Sequence, residues 1–242
     1  MDAIRIEGLT KQYKDVTAVN ELSLIVKKGE IFSLLGVNGA GKTTLIKMLS
    51  CITTPTSGDA YLMDKSISKD TADVKSIIAV SPQETAVAMG LSVRENLELI
   101  CGVYALSRAE ANNRIREITD LLGLNEVLNK RAGKLSGGWQ RRLSIAMALI
   151  SDPQILFLDE PSLGLDVIIR SELWDIIRSL KGRVTVILTT HYMEEADALS
   201  DRIAIMSKGS IVVCDTADEI KKRANTDSFE DAFIKVVRGD IK

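Results

Sequence analysis

The chain has 242 residues, 45% of them hydrophobic, which is enough to bury a full core in one large domain or two closely joined lobes. Its 31 basic and 33 acidic residues are interspersed and leave a formal net charge of -2, so no basic stripe suggests a nucleic-acid partner. The apolar runs are far shorter than the roughly 20 residues of a membrane-spanning helix. We therefore expect a globular protein with no membrane span and no nucleic-acid partner.

Features at the N-terminus and at the cysteines predict a location inside the cell. The first residues lead straight into an apparent strand and lack the basic start and apolar stretch of a secretory signal. Cys51, Cys101 and Cys214 lie far apart without metal-ligand spacing, as reduced thiols in a cytosolic protein do.

Short apolar runs along the chain predict the strands of an α/β protein. The first two alternate, as half-buried strands do, and the third is a nearly continuous run typical of a buried parallel strand. The runs fall at 4–6, 22–26, 31–35, 77–80, 155–158, 184–188, 203–206 and 211–213. Helical stretches separate the later ones, which favours an α/β sheet.

A phosphate-binding loop follows the third run. Residues 36–43 match the phosphate-loop pattern at every fixed position, and their glycines let the backbone wrap closely around an oxyanion. Lys42 offers a charge to the β and γ phosphates, and the Thr43 hydroxyl can bind Mg²⁺. A glycine-rich turn that matches by chance is the alternative, but a buried strand before the loop and an apolar-periodic helix after it favour the motif.

Between residues 86 and 150 helix signals replace strand signals. Ser92 with Glu95 and Ser107 with Glu110 both form capping-box patterns. We expect a helical lobe inserted into the sheet domain.

Residues 135–140 open another helix with a Ser-Gly-Gly start. Ser136 is a plausible N-cap, and Gly137 and Gly138 leave the first N–H groups of the helix open to an anion. An ordinary helix cap would show the same pattern, and the residues by themselves do not decide between the two.

Two carboxylates follow the strand at 155–158, at the edge where open parallel sheets bind ligands. Neighbouring side chains of a strand point to opposite faces, so we expect Asp159 and Glu160 to do different jobs. Asp159 would hold Mg²⁺, while Glu160 would face an attacking water as general base. A solvated acidic turn is the alternative.

His191 is the only histidine and follows the strand at 184–188. A lone histidine is more often structural than catalytic. Its predicted place at the same sheet edge as Lys42 and Asp159 favours a functional role, because an imidazole can donate to a γ phosphate.

Taken together, these segments resemble the ATP-binding subunit of an ABC transporter from Ile4 to about Lys221, and Leu135 to Gln140 match the signature of that family. The resemblance implies an α/β P-loop NTPase (RecA-like) core with an N-terminal antiparallel β part and an inserted helical subdomain. It also makes the chain one ATP-binding domain over 1–242, with a core at 1–85 and 151–220, the helical signature subdomain at 86–150 and a C-terminal tail at 221–242.

The resemblance assigns roles to single residues. Tyr13 would stack on adenine, Gln83 would sense Mg²⁺ and the attacking water, and Asp166 would lie in the loop that meets the other subunit; a plain aromatic and ordinary loop polar residues are the alternatives. The residues implied at ATP are Tyr13, Gly36, Asn38, Gly39, Ala40, Gly41, Lys42, Thr43, Thr44, Ser136, Gly137, Gly138 and Asp166, those at Mg²⁺ are Thr43, Gln83 and Asp159, and the catalytic ones are Glu160, Gln83 and His191 as switch histidine.

The resemblance also implies partners. Two ATP-binding subunits, identical or related, would pair head to tail, so that Ser136 to Gly138 of one close over the nucleotide held by Gly36 to Thr44 of the other. A separately encoded transmembrane permease would hold the pair at the inner face of the cell membrane. Residues 191–197 and 229–233 resemble the exporter branch, whereas Leu163 and Val167 depart from the usual dimer loop.

Two other functions remain open at this point. One is a soluble ATP switch that remodels a protein or nucleic-acid assembly. The other is a nucleotide-binding regulator that barely hydrolyses, which Glu160 and His191 disfavour. The transported substrate is not encoded in any of these motifs.

Overall fold

The computed structural model describes residues 1–240 as two sheets with a helical lobe. The strands are β1 (Asp2–Tyr13), β2 (Val16–Lys27), β3 (Ile31–Gly36), β4 (Ser57–Leu62), β5 (Lys65–Ser66), β6 (Ile78–Ser81), β7 (Ile155–Asp159), β8 (Thr185–Thr190), β9 (Arg202–Ser207) and β10 (Ser210–Asp215). The helices are α1 (Lys42–Leu49), α2 (Thr71–Ile77), α3 (Val93–Val103), α4 (Arg108–Leu121), α5 (Gly137–Leu149), α6 (Val167–Ser179), α7 (Met193–Leu199), α8 (Ala217–Arg223) and α9 (Phe229–Arg238).

The larger sheet positions the site. Its six strands run in the order β10-β9-β3-β8-β7-β6, and all neighbours are parallel except β10 with β9. Strands β3 and β8 are buried along their whole length, as the largely apolar sequence of β3 predicts, and β8 buries three threonines together with its apolar residues. Because parallel strands end at one edge, the segments after β3, β6, β7 and β8 all emerge together.

A smaller antiparallel sheet, ordered β2-β1-β4-β5, covers the larger one. The helix after the phosphate loop, α1, is packed between the two sheets, with Leu45, Ile46 and Met48 in a shared apolar core. The predicted antiparallel β part and parallel core are both present, and the α/β fold class is confirmed.

The helical lobe contains α3, α4 and α5 packed in one apolar cluster with the outer face of β7. Both predicted capping boxes are formed: the Ser92 hydroxyl accepts from the Glu95 N–H at 3.2 Å, and the Ser107 hydroxyl accepts from the Glu110 N–H at 3.3 Å.

The C-terminal stretch folds onto the edge of the large sheet. Helices α8 and α9 bury Ile220, Phe229 and Phe233 against β9 and β10 in a third apolar cluster. The sequence interpretation of 221–242 as a charged tail missed α9, and residues 241–242 lie outside the described part. Within residues 1–240, no helix combines the length and the apolar character needed to span a bilayer.

Candidate nucleotide-binding site

The phosphate loop connects β3 to α1, as the motif predicts. Gly41 has a φ of 105°, and a Cβ there would lie 2.3 Å from the carbonyl oxygen of Ala18 on β2. A Cβ on Gly36 would lie 2.5 Å from the carbonyl oxygen of Met206 on β9. These two glycines are therefore required by neighbouring strands as well as by the approach of a phosphate.

Lys42 is folded back over this loop. Its Nζ donates to the carbonyl of Gly36 at 2.6 Å, and its side chain is buried. Burial lowers the pKa of Lys42, and the nearby carboxylates of Glu160 and Asp159 oppose this by raising it. The ammonium group of Lys42 therefore lies at the cavity wall, where an anionic group would bind.

A cavity of about 340 Å³ opens beside the loop. It is lined by Ala18, Asn38, Gly39, Ala40, Gly41, Lys42, Thr43, Thr44, Gln83, Asp159 and Glu160. The structure thus brings together most of the residues proposed from the sequence to bind ATP or Mg²⁺. Ala18, on β2, was not singled out, since nothing in a lone alanine signals a site.

The two carboxylates after β7 face the same cavity. The Oδ1 atom of Asp159 accepts a hydrogen bond from the hydroxyl of Thr189 on β8. Glu160 leaves the strand geometry with a φ of 50°, in the left-handed region, and its N–H donates to the Thr189 carbonyl at 3.0 Å. Because β7 ends at Asp159 and the backbone turns there, both acids line the cavity, and their different roles stay a prediction.

Glu160 is paired with His191. The Nδ1 atom of His191 lies 2.5 Å from Oε2 of Glu160, and the carboxyl side chain is largely buried while the imidazole is partly exposed. A non-glycine residue in the left-handed region costs on the order of 1–3 kcal/mol, and such strain clusters at functional sites. Glu160 is one of ten such residues within 1–240, so its place at the cavity and its contact with His191 make the pair a candidate for chemistry.

Gln83 follows β6 and reaches the cavity from the other side. Its own side chain is exposed. Its carbonyl oxygen accepts a 2.6 Å hydrogen bond from the guanidinium of Arg141 on α5, a residue that no sequence motif had singled out.

The polar groups of the cavity suit Mg²⁺. This ion takes oxygen ligands and keeps several waters and phosphate oxygens in its shell, so one or two protein groups suffice. Thr43, Asp159 and Gln83 supply a hydroxyl, a carboxylate and an amide oxygen at the cavity wall.

The signature residues lie away from this cavity. Ser136 occupies the N-cap position of α5, but within residues 1–240 its hydroxyl does not bond the first N–H groups of the helix. A Cβ on Gly138 would lie 2.3 Å from Cγ2 of Ile169 on α6, so the glycine permits close helix packing. Ser136 and Gly137 are exposed, Gly138 is buried, and none of the three lines the cavity beside the chain's own phosphate loop.

Two further predicted residues are also outside the cavity. Asp166 caps α6, where its Oδ1 accepts from the N–H groups of Ile168 at 3.1 Å and Ile169 at 3.0 Å. Tyr13 is half-exposed at the end of β1, with Nζ of Lys11 5.0 Å from its ring centroid.

Comparison with known proteins supports the resemblance. The family model for ABC transporters matches residues 19–163. The doxorubicin resistance ATP-binding protein DrrA of Mycobacterium tuberculosis is 39% identical over 99% of this chain and 72% of its own length. A segment covering 13% of the human phospholipid-transporting ATPase ABCA3 is 40% identical over 91% of this chain.

Solved structures agree. An ATP-binding subunit of an ABC transporter superposes with a TM-score of 0.85 over 97% of this chain and 99% of its own, at 24% identity, and so supports the fold. The ATP-binding cassette MJ0796, a dimer in a post-hydrolysis state with ADP and Pi, gives 0.77 over 88% of this chain and 98% of its own, at 27% identity. The chain belongs to the ABC transporter family, as an ATP-hydrolysing subunit that powers transport.

Proposed function

We propose that the chain powers export through a separately encoded transmembrane permease, as one of a pair of ATP-binding subunits. DrrA of M. tuberculosis and the daunorubicin resistance protein DrrA3 of Streptomyces coeruleorubidus, 39% identical over 94% of this chain, are named for resistance to drugs, which favours export of a drug-like molecule. The chain would then be held at the inner face of the membrane by its permease.

The observation that supports the pairing is that the phosphate loop and the start of α5 do not share a cavity within one chain. Lys42, Asp159 and Glu160 line the cavity, whereas Ser136 and Gly137, which are exposed at the start of α5, do not. A helix start with free N–H groups favours a phosphate. A second subunit, arranged head to tail, would supply its Ser136 to Gly138 to this chain's phosphate loop, and Asp166 would lie at the contact.

Within each site, the chain's residues have separable tasks. The backbone of residues 36–44 would wrap the phosphates, and Lys42 would turn from the Gly36 carbonyl to the β and γ oxygens. Tyr13 would stack on the base. Thr43, Asp159 and Gln83 would hold Mg²⁺, which when bound neutralises charge on the phosphates.

Hydrolysis would use the Glu160–His191 pair. Glu160 would take a proton from a water molecule while the oxygen of that water bonds to the γ phosphorus. The bond between the γ phosphorus and the bridging oxygen breaks, and that oxygen leaves with ADP. A neutral imidazole has one N–H, so a ring that donates Nδ1–H to Glu160 can also donate from Nε2 to a phosphate oxygen only when it is protonated. Through these two hydrogen bonds, His191 would link the γ phosphate to the carboxylate of Glu160.

The permease would dock in a cleft of about 420 Å³ between the core and the helical lobe. Pro82 and Ala86 line the core side of the cleft, and Ile100, Val103 and Tyr104 line the lobe side. Val103 is 71% exposed and Tyr104 46%, which leaves an apolar rim beside the loop that holds Gln83. A helix of the permease seated there would sense and move that loop.

The first test replaces Glu160→Gln, with the exposed Glu126→Gln as matched control. We expect the Glu160 variant to bind ATP with wild-type affinity and to lose nearly all steady-state hydrolysis, because the amide cannot accept the proton. Hydrolysis at the wild-type rate in this variant would contradict the role of Glu160.

A further test addresses the permease. Val103→Glu should abolish copurification with a multi-span membrane protein and leave the ATPase rate of the isolated subunit intact, whereas Ile25→Glu, at an exposed position of β2, should affect neither. Glu95, on the same helix, is a poor probe, since its side chain also completes the N-terminal cap of α3.

A further inference from the structure

The guanidinium of Arg141 ties the signature helix to the loop that carries Gln83. Its two terminal nitrogens donate to the consecutive carbonyls of Pro82 at 2.8 Å and Gln83 at 2.6 Å. The residue lies one turn into α5, which begins with Ser136 to Gly138.

Arg141 is buried, with 6% of its surface exposed. Burial lowers its pKa, and the charges of Asp159 and Glu195 oppose this. A buried cation is costly unless its donors are satisfied, so its hydrogen bonds to the two carbonyls are not readily replaced by water. The fork of the guanidinium also fixes the direction of the two peptide groups, which a single point charge does not.

The same face of α5 continues this contact along β6. One turn further, the hydroxyl of Ser144 hydrogen-bonds the hydroxyl of Ser81 at 3.0 Å, and both are buried. Helix α5 therefore contacts three consecutive residues, from Ser81 at the end of β6 to Gln83.

The far end of the loop is held by the lobe as well. The buried side chain of Asn96, on α3, accepts from the Ala88 N–H at 2.9 Å and donates to the Ala88 carbonyl at 3.1 Å. The segment from Gln83 to Ala88 is thus hydrogen-bonded at both ends, by Arg141 and by Asn96, and both of these residues belong to the helical lobe.

We infer that Arg141 is a positioning residue that makes Gln83 move with the signature helix. Resting on the dimer proposed above, this means that when Ser136 to Gly138 of one subunit engage the partner's nucleotide, the tilt of α5 sets Gln83 at the subunit's own nucleotide. One buried side chain would couple the two ATP sites of the pair.

The test compares Arg141→Gln and Arg141→Lys with Arg116→Gln, an exposed arginine on α4 of the same lobe. The first measurement is kcat and KM for ATP. The second is the affinity for ATP when each of these substitutions is combined with Glu160→Gln. The third is hydrogen exchange of residues 83–88 in the nucleotide-free protein.

We expect Arg141→Gln to lower kcat by roughly ten- to hundredfold, the scale of a misplaced reacting group, with ATP affinity kept within about twofold. Exchange at 83–88 should rise while the core strands stay protected. Arg141→Lys, with one charged donor group, should restore part of both effects, and Arg116→Gln should change neither.

The inference is overturned if Arg141→Gln keeps wild-type kcat, if exchange at 83–88 does not rise, or if the glutamine and lysine variants lose ATP affinity and melting temperature together. The exchange measurement needs no hydrolysis, so a wild-type protein without ATPase activity would refute the proposed function while still testing the contact of Arg141 with the loop.

Discussion

At the scale of single residues, the site is built from groups held in costly states. Glu160 adopts a left-handed backbone, Lys42 is buried, and a further acid, Glu195, is fully buried next to the end of β8. Oε1 of Glu195 accepts from the indole N–H of Trp174 at 3.1 Å. The Thr190 and Ser162 hydroxyls lie near enough to lower its pKa, yet Oε2 has no well-formed hydrogen bond within residues 1–240.

Glu195→Gln is predicted to stabilise the protein at neutral pH. Burial, assisted by Glu160, raises the pKa of Glu195 above the ordinary 4.5 despite these hydrogen bonds. For an acid with a raised folded pKa, the stabilising contribution is complete below the unfolded pKa and is lost as pH rises through the folded pKa. The free energy of unfolding of the variant should therefore exceed that of wild type by a margin that grows above about pH 4.5.

Urea unfolding at several pH values would measure this margin. The control is Glu126→Gln, an exposed carboxylate without an ion pair among residues 1–240, for which no such margin is expected. A margin for Glu195→Gln that shrinks with rising pH would contradict the raised pKa of Glu195.

Gly41→Ala is predicted to unfold more readily than Gly39→Ala. Both positions have positive φ, at 105° and 81°, and strain of about 1–3 kcal/mol applies to each. Only at Gly41 does the added Cβ also meet backbone, the carbonyl oxygen of Ala18 at 2.3 Å, while Gly39 has open space. Denaturation without nucleotide isolates this difference, and equal losses in the two variants would argue against the clash.

At the scale of elements, α9 shows how a charged stretch becomes part of the core. Ser228 caps the helix by accepting from the Asp231 N–H at 3.2 Å, and Gly239 ends it in the left-handed region. Phe229, Phe233 and Val236 lie on the face that packs towards β9 and β10. The apolar spacing was present in the sequence, but its surrounding charges hid it.

Phe233→Ala is predicted to destabilise the protein by about 3–5 kcal/mol, the usual loss for a phenylalanine deleted from a packed core. Ile234→Ala, at the neighbouring and 37% exposed position, should change the free energy of unfolding by less than about 0.5 kcal/mol. Thermal or urea unfolding of the two variants decides this, and a small loss for Phe233 would mean that α9 is not docked in solution.

At the scale of the whole molecule, the cavity is open and the signature surface is unused within one chain. Val167 and Ile168, at the start of α6 next to Asp166, are 74% and 71% exposed. Exposed aliphatic residues beside a predicted contact loop suit burial by a second subunit.

ATP is predicted to drive pairing. The Glu160→Gln variant, in which ATP persists, should elute as a dimer with ATP and as a monomer without nucleotide in light-scattering chromatography. Wild-type ATPase activity per chain should rise with protein concentration. A rate that is independent of concentration, together with a lone chain that stays monomeric with ATP, would exclude the shared site.

The local patterns determined much of this protein from sequence. The phosphate loop, both capping boxes and the strand ends at Asp159 and His191 are written in adjacent residues, because turn, cap and strand preferences act over a few positions. They were sufficient for the fold class, the family and most of the cavity lining.

The tertiary structure alone decided the rest. The contacts of Gly41 with Ala18, of Arg141 with Pro82, and of Glu195 with Trp174 join residues distant in sequence, so no local pattern encodes them. The left-handed turn at Glu160 depends likewise on hydrogen bonds that its N–H donates to Thr189 of the neighbouring β8, which no local pattern encodes. The burial and the electrostatic surroundings of a residue follow from packing between elements. That packing decides which polar residues lie close enough to share a site.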